Sequence, residues 1–209
     1  RYLRAEWRDP AAWMLGAEWI DMEARYAHSS RGSFDPLLAG LFGRPASFSR
    51  DAALVASGER IAAYGSRLWV LDDRWRFDLG LRLDSREYRS DAPGRLSGVD
   101  LSPRVAVEHQ VDAATVLRVS VGRATQGMRP DELDVADGDN AYAAVQRADQ
   151  LVLAIERRMG DAGSLRAEAY RKDVSDPIPH DENLLDPVSL LPELEVDRSR
   201  LRPDSARLY

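Results

Sequence analysis

Trp75-Arg-Phe-Asp-Leu-Gly-Leu-Arg-Leu-Asp84 decides the fold. Its odd positions, Trp75, Phe77, Leu79, Leu81 and Leu83, are all apolar, and its even positions, Arg76, Asp78, Gly80, Arg82 and Asp84, are polar or small. Successive side chains of a strand point to opposite faces, so one face collects every apolar group and the other the charges. A helix would scatter both sets around its circumference. The stretch is a strand with one apolar and one charged face.

The same period recurs outward in both directions. Leu3, Ala5 and Trp7 oppose Arg4, Glu6 and Arg8, while Leu15, Ala17 and Trp19 oppose Gly16 and Glu18. Val105 and Val107 oppose Arg104 and Glu108; Leu117, Val119 and Val121 oppose Arg118, Ser120 and Gly122. Leu151, Leu153 and Ile155 oppose Val152, Ala154 and Glu156, and Leu165, Ala167 and Ala169 oppose Arg166, Glu168 and Tyr170. Ile61 to Leu71 resists assignment, because neither face is cleanly apolar. About eight strands follow from this pattern.

The connections alternate in length. Asp9–Ala12, Asp72–Arg74, Val111–Ala114 and Gly160–Gly163 have hairpin length and turn residues. Ser29–Ser57, Arg86–Asp100, Gly127–Arg147 and Ser175–Ser205 read as long loops rich in Gly, Pro, Asp and Ser. Strict alternation predicts every tight turn at one rim of the sheet and every long loop at the other. Outer-membrane barrels have that layout, whereas Greek-key sandwiches have no reason to keep it. Trp7 and Trp13 flank the first short turn, and Trp69 and Trp75 the second. An indole sits well where hydrocarbon meets headgroups, so these pairs predict an aromatic girdle at that rim. Packing of paired Trp across a soluble hairpin is the plainer alternative.

Composition bounds the reading. The 209 residues are 31% charged, and no apolar run approaches the roughly 20 residues of a membrane helix. A membrane strand needs only about 10 residues with every second one apolar, so low average hydropathy does not exclude it. The net charge is −6 with basic and acidic groups interspersed, which argues against a nucleic-acid partner. Cysteine is absent, which removes disulfides, thiolate metal sites and cysteine nucleophiles. Arg1 already lies in strand pattern, and Ala206–Tyr209 reads as the start of a further strand, so a segment of a larger polypeptide is expected.

The charged face carries Arg76, Arg82, Arg104, Glu108, Arg118, Glu156, Arg166 and Glu168, with signs mixed. Groups of that kind cannot enter a dry core without a large desolvation cost. They fit a hydrated barrel lumen, or else the wet face of a soluble antiparallel sheet. The second option leaves the apolar face without a partner layer. The expected fold is therefore all-β: a transmembrane antiparallel up-and-down β-barrel, present as a partial wall of about eight strands. Phe77, Leu79, Leu81, Val105, Val107, Leu117, Val119, Leu153 and Ile155 are expected to face lipid.

Residues Arg74 to Gln126 resemble the barrel of TonB-dependent receptors. The stretch already quoted resembles their recurrent strand with an aromatic followed by "LGLR-D". Leu101-Ser-Pro-Arg-Val-Ala-Val-Glu-His-Gln110 resembles the following "SPR-A" strand, and Thr115-Val-Leu-Arg-Val-Ser-Val-Gly-Arg-Ala-Thr-Gln126 the next. Ala148–Glu156 and Leu165–Lys172 match the hairpin after that, so the resemblance runs from Glu59 onward, with the first third agreeing in strand style only. It implies that residues 1–209 belong to one receptor barrel of about 22 strands, with the N-terminal plug domain absent from this chain. It further implies a bacterial outer-membrane location and a lipid bilayer as surroundings. The implied function is TonB-energised import of a scarce small-molecule or chelate ligand, of siderophore, cobalamin or glycan class. The TonB coupler would be met through the plug. A small structural or adhesive outer-membrane barrel, or a soluble β binding module, remains the alternative.

No catalytic constellation or cofactor fingerprint occurs, so neither an enzyme nor a cofactor is expected. His28, His109 and His180 are dispersed and read as surface or lumen residues without a metal. Asp134-Val-Ala-Asp-Gly-Asp-Asn140 is acidic but lacks EF-hand spacing, and reads as a solvated loop. Ligand capture is expected at the long loops and the strand ends beneath them. Arg123, Gln126 and Arg129 cluster where one strand runs out, and guanidinium forks suit carboxylate or chelate oxygens. Tyr142 would add an aromatic surface with a hydroxyl tip. The plainer reading makes Arg123 one more lumen charge and Tyr142 a loop anchor.

Overall fold

The computed structural model describes residues 1–9, 12–33, 36–41, 47–91, 94–135, 140–160, 163–183, 198–201 and 203–208. Its strands are β1 (Tyr2–Arg8), β2 (Trp13–Ser33), β3 (Ser47–Val70), β4 (Trp75–Ser90), β5 (Gly94–Gln110) and β6 (Thr115–Gln126). These are followed by β7 (Gln146–Arg158), β8 (Ser164–Ser175), β9 (His180–Asn183), β10 (Arg198–Leu201) and β11 (Ser205–Leu208). Nine of them form one sheet in the order β1-β2-β3-β4-β5-β6-β7-β8-β11, and β9 and β10 pair separately. All neighbours run antiparallel. Among the described residues helix is confined to the connections: α1 (Pro36–Leu41) and a 3₁₀ turn at Pro130–Glu132. The up-and-down wall is as expected, and the strand anticipated at Ala206 is β11.

Register fixes the two faces. Phe77 lies opposite Val107, Val107 opposite Val119, Val119 opposite Leu153, and Leu153 opposite Ala169. Directly opposed residues share a face, so this is one apolar row. The neighbouring row runs Arg76, Glu108, Arg118, Ala154, Glu168. The burial is inverted relative to a water-soluble sheet. Leu81, Val119 and Leu153 are 50%, 42% and 47% exposed, whereas Asp84 and Asp100 on the charged face are 4% and 7% exposed. A continuous bare apolar face of this extent marks a surface made for another apolar phase. On β4 it runs from Trp75 to Leu83, about 26 Å along the strand at about 3.3 Å per residue, or roughly 19–22 Å of height at the usual barrel tilt, most of the roughly 25 Å apolar band of membrane barrels.

The short turns are built by aspartate. Asp72 Oδ1 accepts from the N–H groups of Arg74 and Trp75, both at 2.8 Å, and Asp112 Oδ1 accepts from the Ala114 N–H at 2.8 Å. An Asx side chain imitates the backbone of a turn in this way. Those hydrogen bonds hold the Asp112 carboxyl below the usual carboxylate range, the Ala114 N–H contributing most. Above this rim the apolar face carries an aromatic belt. Trp13 lies opposite Arg67 and Trp69 opposite Phe77, while Trp75 stacks on His109 at 4.0 Å between ring centroids.

Two expected long loops are shorter than the sequence suggested. Ser29–Ser57 contracts to residues 34–46, because β2 and β3 pair without interruption from Trp13↔Arg67 to Ser33↔Ser47. Arg86–Asp100 is nearly all strand, with Ser90 opposite Gly94, so tight turns occur at both rims of the β4–β5 hairpin. What distinguishes the second rim is overhang instead of loop length. β2 to β5 have 21, 24, 16 and 17 residues, against about 10 needed to span hydrocarbon. The segment 127–145 is a long connection as expected, and Ser175–Ser205 contains the β9–β10 pair.

Candidate functional site

On the charged face, opposite signs meet across neighbouring strands. Glu108 accepts from Arg76 at 3.3 Å and from Arg118 at 2.8 Å, and Arg118 reaches on to Glu156 at 2.8 Å. Arg82 donates to Asp84 at 2.8 Å and to Glu18, two strands away, at 2.9 Å. A cleft of about 400 Å³ lies along this row, lined by Arg76, Asp78, Glu108, Arg118, Arg166 and Glu168. Charges paired across strands on one side of a wall suit the hydrated, lumen side of a barrel.

Above the apolar band, the charged face turns apolar and is covered. Tyr26, Leu54, Ala56 and Tyr88 project from the overhang of β2, β3 and β4 on the lumen side, which alternation assigns with Glu18, Ala62 and Asp84. The connection 127–135 lies over them: Met128, Leu133 and Val135 form one buried cluster with Leu54 and Ala56. The Tyr26 hydroxyl donates to the Pro130 carbonyl at 2.7 Å. Next to this cluster Tyr142 donates to the Arg89 carbonyl at 3.3 Å, its ring 5.9 Å from that of Tyr88. Burial raises the phenols of Tyr26 and Tyr88 above the ordinary value. That of Tyr142 is pushed up to about 12, chiefly by burial and then by the other two tyrosines. The connection is thus an inward-folded loop held by three tyrosines.

Beneath the loop, Arg86 and Asp100 form a buried ion pair at 2.8 Å, with Arg147 at 3.6 Å from the other carboxylate oxygen. Here β6 leaves β5, since their pairing ends at Arg104↔Gly122. Ser102 and Thr125 hydroxyls meet at 3.3 Å across the parting. A second cavity of about 360 Å³ opens beside the loop, lined by Met128, Tyr142, Ala144, Asp176, Pro177 and Pro203 among others.

The four residues singled out from the sequence end in different surroundings. Arg129 and Tyr142 both belong to the inward loop. Arg129 caps the 3₁₀ turn, with its guanidinium 3.1 Å from Asp131 and 3.0 Å from Glu132. Gln126 is the last residue of β6, opposite Gln146, and its side chain is exposed. Arg123 makes a bidentate pair with Asp149 at 2.7 and 2.9 Å, in the register row two residues beyond Val121. Tyr88, Arg86 and Asp100 escape sequence reading because they lie in the segment Arg86–Asp100, which reads as a loop, and Tyr26 because the strand pattern beginning at Leu15 is assigned no further than Trp19. Within Asp134–Asn140, residues 136–139 lie outside the described residues. The side chain of His180 also lies outside them, while His109 stacks on Trp75 on the apolar face.

An antiparallel up-and-down wall with a lipid-sized apolar band outside, a charged lumen inside and a loop folded onto that lumen defines an outer-membrane β-barrel. The chain matches the family described as TonB dependent receptor-like, beta-barrel over residues 3–183, and it belongs to that family. The match reaches through the first third, where the sequence had offered strand style alone. No curated protein matches the chain. Members of this family are outer-membrane receptors and transporters, not enzymes. The small closed barrel does not fit the sheet, because among the described residues β1 pairs with β2 alone and β11 with β8 alone.

Proposed function

We propose that this chain is part of the wall of a TonB-energised import receptor whose ligand is captured at the overhanging rim. The observation that carries the reading is the inward docking of residues 127–135 and of Tyr142 on the lumen side above the charged wall. A solute arriving from the loop side meets Arg129 and Tyr142 first, then Gln126 at the end of β6; Arg123, paired with Asp149 in the outward row of Val121, lies on the other face. Guanidinium groups and a phenol suit a chelate or a carboxylate-bearing ligand. That chemistry is compatible with a siderophore, a cobalamin or a charged glycan. The open edges at β1 and β11 fit a larger barrel completed by further strands, with energy arriving through a plug and the TonB coupler. Deleting Asp131–Ala144 from the intact receptor should abolish ligand uptake while the barrel still assembles in the membrane. Unchanged binding and uptake would move the ligand site to the plug or to other strands.

A further inference from the structure

One arginine breaks the pattern of the apolar face. Arg67 lies in the row of Leu79 and Trp13, pointing to the lipid side near the short-turn rim. Its guanidinium carbon sits over two indoles, 4.8 Å from the Trp13 ring centroid and 4.7 Å from that of Trp69. Among the described residues no carboxylate pairs with it, whereas arginines of the charged face such as Arg76, Arg82, Arg104 and Arg118 each have one. Its Nε is buried without a hydrogen-bond partner. A cation held against two π faces still lacks an anionic acceptor.

A groove leads away from this cation toward the middle of the band. Along β3 the residues following Arg67 on the same face are Gly65 and Ala63, small enough to leave a floor between higher walls. Leu15 forms one wall and Leu79, Leu81 and Leu83 the other, bounding a shallow, open depression of about 490 Å³ with a mainly apolar lining. At Gly65 the floor lies against Leu15, whose Cδ2 would be 2.8 Å from a Cβ at that position. From Arg67 to Ala63 the groove runs about 13 Å at about 3.3 Å per residue, the length of roughly ten methylenes.

We infer that this groove binds one phospholipid of the leaflet on the short-turn side, with its phosphate on the Nη groups of Arg67 and an acyl chain over Gly65 and Ala63. The cation at one end and the apolar channel at the other match the two halves of such a molecule, and the flanking indoles sit where headgroups lie. Guanidinium is the side chain best suited to a phosphate, through paired N–H donors. This inference rests only on the apolar face meeting lipid, and it is independent of which ligand is imported.

Native mass spectrometry of the intact receptor, released from detergent after addition of phosphatidylglycerol, tests it. The wild type should retain one phosphatidylglycerol, and Arg67→Gln should retain it about tenfold more weakly, the loss expected for a charge-assisted hydrogen bond. Ala63→Leu, which raises the groove floor without touching Arg67, should weaken retention as well. Dioleoylglycerol, which lacks the phosphate, should bind wild type and Arg67→Gln alike. Heat-modifiable migration of each variant shows that the barrel is folded, which separates loss of the lipid from loss of membrane assembly. Equal retention by wild type and Arg67→Gln would overturn the assignment. So would a receptor dimer abolished by Ala63→Leu, since a second copy would then fill the groove.

Discussion

Arg67 and Leu79 lie opposite one another on the same face, yet the same charge has different consequences at the two positions. Arg67 starts from the same depth as Leu79, but its long side chain places the guanidinium over the Trp13 and Trp69 rings, toward the short-turn rim and polar surroundings. Leu79 is the central residue of the apolar run from Trp75 to Leu83, where an arginine would face hydrocarbon. Leu79→Arg should therefore cost roughly 2–4 kcal/mol in urea unfolding of the vesicle-inserted receptor. Arg82→Leu, on the lumen side, should leave insertion intact; a silent Leu79→Arg beside a non-assembling Arg82→Leu would mean the faces are reversed. A second residue-scale test concerns Tyr142, whose phenol has its acid form favoured by burial. Its pKa lies above that of an undocked tyrosine, so docking is fully supported below pH about 10 and weakens as pH rises toward about 12. Phenolate absorbance at 295 nm should show one tyrosine titrating near 12, and the loop should become protease-sensitive over that interval. Titration of every tyrosine near 10 with the loop still protected would contradict the docked geometry.

At the scale of the element, the strand spans inside the band were legible and the overhangs were not. Alternation is visible from Trp75 to Leu83 because lipid on one side and hydrated lumen on the other demand opposite chemistry at successive residues. Beyond the band both faces of a strand meet water or loop, and the demand lapses. Ser29-Ser-Arg-Gly-Ser33 and Arg86-Glu-Tyr-Arg-Ser90 therefore look like loops while being paired strand. Ile61–Leu71 was ambiguous for a related reason: Gly65 and Arg67 occupy lipid-facing positions, and Leu68 lies on the charged side. The candidate site was only partly legible. Arg123, Gln126, Arg129 and Tyr142 are recognisable by residue type, but Tyr26 and Tyr88 become neighbours of Tyr142 only through pairing over long sequence separations. Gly58 shows what the overhang needs. Its φ of 153° and the place of its missing Cβ, 2.7 Å from Tyr88 Cα and against the Glu87 carbonyl, leave room for no other residue. Gly58→Val should destabilise the overhang by roughly 1–3 kcal/mol and loosen the Tyr88 platform. Faster hydrogen exchange at 86–90, with exchange at 75–83 unchanged, is the expected readout.

For the whole molecule, the decisive property is that the sheet is open. Among the described residues β1 pairs with β2 alone and β11 with β8 alone, so the sheet ends in two edge strands. In hydrocarbon each unsatisfied backbone group costs several kcal/mol, so a wall of this kind cannot sit in a bilayer alone. In water the difficulty changes sides: edges remain, and the bare apolar face joins them as a second surface prone to association. The nine strands are thus stable only within a closed barrel, whose remaining strands satisfy both edges while lipid covers the apolar band. Residues 1–209 expressed alone should aggregate, or remain unfolded in detergent, and should not migrate differently after heating. The same residues within the intact receptor should give a heat-modifiable barrel. A monodisperse, heat-modifiable monomer from residues 1–209 alone would mean that β1 and β11 can close on each other. That would replace the large-barrel reading with a small closed barrel of nine strands.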